Sequence, residues 1–366
     1  MFRLRRNRSG LQSPTAFRDA LTWSLTVDGI KIPFNRLANI RVSISTSGMA
    51  LSGIARHTLS ADIFLDGEGF SAGAECILTD SEEKFKFPKF YIYQRRKVGN
   101  VLTISAIDRL VMAGQPFDCT GLASVDGGTN SDGEEVEKVL VSNVLSKLAA
   151  QCGFSAVSYD GGKIESLPLA YFKGKGCEDI LSGLSALFCG FWCTDSRNRL
   201  VMKRWCLADG AASVSAASDV DLSSEKGGIE RVVATDSITG DVFDTLGSTD
   251  FQKTLRVSAE YMTKEQADSI LSAFKGKLYY GWSCKAELSA MAEVGFTFDD
   301  KFIGEITFYP HFNGLGAEFG APDISETEWD YYGEVTKALN KKLGIGVEYG
   351  DVSVDADGIV LHGRYD

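Results

Sequence analysis

The chain has 366 residues, of which 44% are hydrophobic and 24% charged. That length suggests two or three compact units, and the composition fits a folded protein rather than a disordered one. The 38 Lys and Arg against 49 Asp and Glu leave a net charge of −11, which argues against a protein whose main task is gripping nucleic acid, and no apolar run reaches the roughly 18 residues that cross a bilayer, so direct membrane insertion is not expected.

The opening, MFRLRRNRSG, holds four arginines with no hydrophobic segment behind them. It does not read as a secretory signal, so synthesis and folding in a cytoplasm are expected, with residues 1–21 as a basic, flexible N-terminus. From 22 to 120 the period is two, the mark of strands with one buried face. In RHTLSADIFLDG, Leu59, Ala61, Ile63 and Leu65 alternate with Thr58, Ser60 and Asp62; RVSIS gives Val42 and Ile44; VLTISAIDRL puts Leu102, Ile104 and Ala106 on one face. FPKFYIY (87–93) reads as a strand leading into a basic turn at Arg95, Arg96 and Lys97.

Residues 120–135, TGLASVDGGTNSDGEE, read as a loop. They are no calcium loop, because Gly128 stands two places after Asp126 where an oxygen ligand is wanted. Helical spacing follows: Val136, Val139, Leu140, Val144 and Leu148 share one face of a helix that Gly153 ends, and Ile180, Leu181, Leu184, Leu187 and Phe188 line a second that ends at Gly190. FWCT and RLVMKRW flank DSRN, a hairpin with Asp195 and Asn198 in its turn. Residues 121–206 are therefore expected to form an inserted α+β unit, and the small, polar 207–228 a linker.

Strands return over 229–322. Leu255, Val257, Ala259 and Tyr261 alternate with polar residues; Thr263-x-x-Gln266 opens a helix over Ala267, Ile270, Leu271 and Phe274 that Gly276 stops; Phe296, Phe298, Ile306 and Phe308 continue the β pattern. In 323–366, Ser325-x-x-Glu328 opens a helix with Trp329, Tyr332, Val335 and Leu339, and a hairpin turns at Asp357-Gly358.

Chemistry is sparse. The eight cysteines (Cys76, Cys119, Cys152, Cys177, Cys189, Cys193, Cys206, Cys284) form no C-x-x-C pair and read as small buried hydrophobes with free thiols. His57, His311 and His362 lie far apart, with no H-E-x-x-H, G-x-S-x-G or Walker loop, and read as surface or hydrogen-bonded structural residues. No catalytic, cofactor-binding or metal-binding residue is assigned, and no cofactor is expected. Asp108, at the end of a strand, is expected to accept from a backbone amide two residues on, a structural task.

The order of these pieces resembles the bacteriophage tail hub family, which includes the baseplate hubs of contractile tails and the amino-terminal part of tail-associated lysins. The resemblance is carried by RVSISTSG, HTLSADIFLDG and FYIYQRRKVGNVLTISAIDRL, then by PLAYFKGKGCEDILSGLSALFCGFWCTDSRNRLVMKRW, then by ELSAMAEVGFTFDDKFIGEITFYPHFNGLGAEFGAP. It covers about 22–322 and rests on spacing and residue class; at Glu293-Val294-Gly295-Phe296 the family often has an acidic residue where Phe296 stands. It implies an α+β, mainly β fold with two tail-tube-like β-barrel domains, 22–120 and 229–322, separated by the insert and followed by the appendage. It also implies a non-enzymatic virion protein at the tail tip. There a homotrimer of pseudo-sixfold symmetry would surround a lumen through which DNA only passes, with a distal tail or tail tube protein, a tape measure protein and a tip spike or fibre protein as partners. Two other readings stand beside it: a peptidoglycan-cleaving tail-associated enzyme, for which the 44 residues after 322 are too few to make a typical lysin domain, and a receptor-binding module.

Overall fold

A computed structural model describes residues 21–47, 53–65, 67, 69–125, 136–159, 164–205, 214–221, 231–244, 254–274, 282–298, 301–320, 352–355 and 358–361. The fold is α+β and mainly β. The first unit is built from β1 (Trp23–Val27), β2 (Ile30–Pro33), β3 (Leu37–Ser47), β4 (Ile54–Phe64), β5 (Glu75–Asp80), β6 (Phe90–Val98) and β7 (Val101–Asp108). Asp28 and Gly29 both take positive φ, 46° and 80°, the two-residue turn that lets β1 fold back on β2. The period-two residues do what alternation predicts: Val42, Ile44, Leu59, Ala61, Ile63, Leu102, Ile104 and Ala106 are buried. Arg95, Arg96 and Lys97, expected in a turn, lie inside β6 instead. They pair with Ile104, Thr103 and Leu102, and the chain turns later, where Gly99 supplies a φ of +58°.

The insert holds α1 (Val141–Gln151), α2 (Leu169–Phe172) and α3 (Cys177–Phe188). The first expected helix begins too early in the sequence reading. Lys138–Leu140 is a strand, paired antiparallel with Ser166–Pro168, because those backbone groups have a cross-strand partner before the helix can claim them. Gly153, with φ +75°, does end α1. Gly190 does not end α3: the left-handed residue is Cys189, φ 52°. Gly190 already belongs to the strand Gly190–Thr194, where a Cβ would lie 2.5 Å from the Lys203 carbonyl oxygen across the hairpin. The DSRN turn forms as expected. The Asp195 carboxylate accepts from the amides of Arg197 (3.0 Å) and Arg199 (2.8 Å), and Asn198 takes φ +58°.

Residues 214–221, expected within a linker, form a strand that pairs with Ser283–Leu288. Beyond it, Arg231–Asp236 pairs in parallel with Thr254–Ala259, and α4 (Lys264–Phe274) follows. The capping box is present: the Thr263 amide donates to Gln266 Oε1 at 2.7 Å and the Gln266 amide to Thr263 Oγ1 at 3.4 Å. Thr263→Ala is expected to lower stability by about 1 kcal/mol in urea unfolding, with Thr263→Ser retaining most of it. At the far end Val352–Asp355 pairs with Gly358–Leu361, Asp355 opposite Gly358. The helix expected from Ser325, residues 1–20 and Gly276 lie outside the described residues.

One fourteen-stranded sheet joins the first unit, the hairpin of the insert and the second half. Its spine runs Val214–Asp221, Ser283–Leu288, Gly314–Gly320, Glu305–His311, β3, β4, β7, β6, β5, β1, β2. The halves meet where Glu305–Phe308 pairs with Ser45–Val42 of β3. Among the described residues no pairing closes either half on itself within one chain.

Candidate functional site

Strand β4 changes partners along its length. From Thr58 to Phe64 it pairs with β7, whereas Ile54 and Ala55 pair in parallel with Trp192 and Cys193 of the insert. His57 falls in the gap, and Asp108, the last residue of β7, fills it. One carboxylate oxygen accepts from the His57 amide at 3.0 Å and lies within hydrogen-bond distance, 2.9 Å, of His57 Nδ1. The other accepts from the Leu110 amide at 3.1 Å and opens the 3-10 turn Arg109–Gly114. Asp108 is fully buried. The expected bond to an amide two residues on is there, and it is one of three. Sequence reasoning missed His57 as the partner, although a signal existed: His57 and Asp108 both fall on the apolar beats of their strands, in step with Leu59 and Ala106, where a polar residue has to bring its own partner inside.

A cavity of about 310 Å³ adjoins this branch, lined among others by His57, Phe191, Cys193, Lys203, Glu293 and Val294. It therefore touches the first unit, the insert and the second half. Asp108, His57 and Cys193 together have the composition of a nucleophilic triad, but burial pushes the Cys193 thiol up to about 12, so it stays protonated at neutral pH and is a poor nucleophile. Every residue of its strand is buried. What the surroundings do is join units. Glu293 pairs with Lys203 of the insert, and Gly295, with φ +91°, lets the chain pass so close to Phe191 that a Cβ would sit 2.4 Å from its ring. The register around Phe296 is fixed by Gly295 N to Ile303 O (2.8 Å) and Ile303 N to Phe296 O (2.9 Å). His311, in the second half, has its own partner, with Nε2 2.9 Å from Glu287.

The sheet contains one strand order twice. In β3, β4, β7, β6 the spatial order is first, second, fourth, third along the chain; Val214–Asp221, Ser283–Leu288, Gly314–Gly320, Glu305–His311 has the same order, and every neighbour is antiparallel. The third strand of one run pairs with the first strand of the other, so the repeat is head to tail. That leaves two unlike edges. Gln94–Val98 of β6 has no strand on its outer side among the described residues, since β5 pairs only with Phe90 and Tyr91. At the opposite end of the repeated run lies 214–221; past β6 the sheet itself continues through β5 and β1 to β2. The first edge carries Arg95, Arg96 and Lys97; the sequence of the second, VSAASDVD, holds Asp219 and Asp221 and no Lys or Arg.

The sheet face away from the core is rich in hydroxyls, among them Ser43, Ser45, Thr58, Ser60, Thr103, Ser105 and Thr307. Across the seam between the halves Ser43 Oγ and Thr307 Oγ1 are 3.1 Å apart, and Arg41 lies over the Tyr309 ring, 5.7 Å from its centre. Arg56, on the same side of β4, is paired with Glu178 of α3.

No family model matches the chain, and no curated protein matches it in sequence. Among solved structures it is similar to the 43 kDa tail protein of prophage MuSo2 from Shewanella oneidensis, at 13% identity and a TM-score of 0.51 over 82% of this chain and 98% of that one. It is similar also to the prophage tail protein gp18 from Listeria monocytogenes EGD-e, at 12% identity and a TM-score of 0.50 over 87% and 99%. At such identities the likeness is one of fold: the chain shares the fold of phage tail proteins.

Proposed function

We propose that this chain is a structural phage tail protein, a tail hub whose copies close into a trimeric ring around the DNA channel. The observation that carries this reading is the repeated strand order with its unlike edges. A strand edge with unpaired backbone groups invites another strand. Two basic edges repel, as do two acidic ones, so the favoured contact sets Gln94–Val98 of one copy beside 214–221 of the next. That contact is heterologous, and heterologous contacts form rings when the rotation closes. Three copies would supply six four-strand repeats about one axis, allowing a threefold assembly to abut a sixfold tube. The shared fold of prophage tail proteins supports the same reading.

In that ring a distal tail or tail tube protein would sit on one face, with the tape measure protein and a spike or fibre towards the tip. The hydroxyl-rich face would line the lumen, where engaged cations such as Arg41 and Arg56 offer little grip to passing phosphate. The high thiol pKa of Cys193 weighs against a cysteine-hydrolase reading of the cavity.

Purified protein should give a trimer by sedimentation, and electron micrographs should show threefold rings with a central hole. Arg96→Glu with Lys97→Glu should dissociate the rings while leaving the fold intact, and adding Asp219→Arg with Asp221→Arg should restore them. Monomers at every concentration tested, or rings indifferent to both charge reversals, would sink the proposal.

A further inference from the structure

The charges that line the cavity beside His57 do not cancel. Lys203 meets Glu293, and Asp195 accepts from the amides of Arg197 and Arg199 and from Arg199 Nε at 2.7 Å. Lys84 and Lys86 are left over. Lys84 lies 5.3 Å from the centre of the Phe85 ring, and among the described residues neither ammonium meets a carboxylate. Both lysines are exposed, so they mark the mouth of the cavity. The loop that carries them is held from below: the buried Asp80 carboxylate accepts from the amides of Glu82 (2.9 Å), Lys84 (3.1 Å) and Phe85 (2.8 Å). Phe191, Val294 and Phe308, all buried, supply an apolar wall. His57 adds one more open group. Its Nδ1 is taken by Asp108, whereas Nε2 has no hydrogen-bond partner among the described residues and keeps surface open to solvent. The side chain is 10% exposed and lines the cavity, so Nε2 opens onto it.

We infer that this cavity binds a small organic carboxylate whose apolar body carries a hydroxyl group. The two uncommitted lysines supply the charge that a carboxylate needs, at the mouth. Among the described residues no arginine lines the cavity, so the planar fork that grips a phosphate is missing. The apolar wall favours a carbon body over a bare ion, and a volume of about 310 Å³ stands at the small end of ligand pockets. A hydroxyl completes the fit, because it can donate or accept and so satisfies Nε2 whichever ring nitrogen bears the proton. Such a ligand would touch the first unit through His57 and the lysines, the insert through Phe191, and the second half through Val294. A ligand that binds only the folded chain raises its stability, so occupancy should tighten the junction of the three. The cavity lies within one chain and requires no ring, so the site stands or falls separately from the trimer.

The test titrates full-length protein, carrying ring-labelled histidine, with para-hydroxybenzoate and its longer homologue para-hydroxyphenylpropionate. The chain has three histidines, and His311→Asn and His362→Asn assign their signals. One of the two probes should bind saturably by calorimetry, shift the His57 signal while leaving that of His311 in place, and raise the melting temperature. Three controls each remove one element: para-hydroxybenzamide the charge, acetate the body and benzoate the hydroxyl. Each should bind more weakly, the amide by about tenfold or more. Lys84→Gln with Lys86→Gln should weaken the carboxylate by a similar factor, an unchanged far-UV spectrum showing that the variant folds. Failure of both probes to bind, or binding that moves His311 or His362 and not His57, overturns the site. An amide that binds as tightly as the acid removes the role of the lysines, benzoate as tight as its hydroxylated form removes that of Nε2, and inorganic phosphate as tight as either probe removes that of the apolar wall; any of these rejects the ligand assigned.

Discussion

Asp108→Ala is expected to destabilise the protein by about 3–5 kcal/mol, the range for breaking a buried, hydrogen-bonded pair by removing one partner. The carboxylate serves the His57 amide, the His57 ring and the Leu110 amide at once, and it is fully buried, so its removal leaves all three groups without this partner. The loss falls where β4 passes from β7 to the insert, so the first unit and the insert should loosen together. Asp108→Asn retains an acceptor oxygen but sets an amide NH2 against a second donor, and should fall between wild type and alanine. His57→Ala removes the ring and leaves the backbone bond, so a smaller cost of about 1–3 kcal/mol is expected. Urea unfolding of the three variants checks the order. A cost below about 1 kcal/mol for Asp108→Ala would mean that the branch is held by something other than this carboxylate.

Gly295→Ala should cost a similar amount by a different route. The new Cβ would stand 2.4 Å from Phe191 Cε1 and 3.0 Å from Cζ, at a φ of +91°. Overpacking costs about 1–3 kcal/mol and a strained backbone about 1–3 kcal/mol more. The two parts separate in a double-mutant cycle: Phe191→Leu should absorb much of the clash and none of the backbone strain, so the pair should show a coupling of about 1 kcal/mol or more. Because Gly295 belongs to the second half and Phe191 to the insert, limited proteolysis should cut Gly295→Ala more readily between them. Additive effects of the two substitutions would show that the close approach is not what requires glycine.

Features set by a few neighbouring residues were readable in advance. Asp195 and Asn198 specified the DSRN turn, Thr263 and Gln266 the start of α4, Gly153 the end of α1, and the alternation of β4 and β7 their buried faces. The errors share a cause. Arg95, Arg96 and Lys97 look like a turn by composition, yet β7 lies beside them and takes their backbone groups into a ladder. Residues 214–221 look like a linker, yet Ser283–Leu288 offers them an edge. Lys138–Leu140 fits a helical stripe, yet Ser166–Pro168 pairs with it first.

By itself, then, the sequence determined the mainly β class, the local turns and caps, and which face of each amphipathic strand turns inward. Those follow from side-chain period, from φ preferences and from bonds spanning a few residues. Only the tertiary structure decided that Asp108 meets His57, 51 residues away, that the two halves share one sheet, and that its strand order occurs twice with unlike edges. Backbone hydrogen bonds between strands carry no residue code, so which strand lies beside which is settled by packing and chain geometry across the whole molecule, and no local pattern records the outcome.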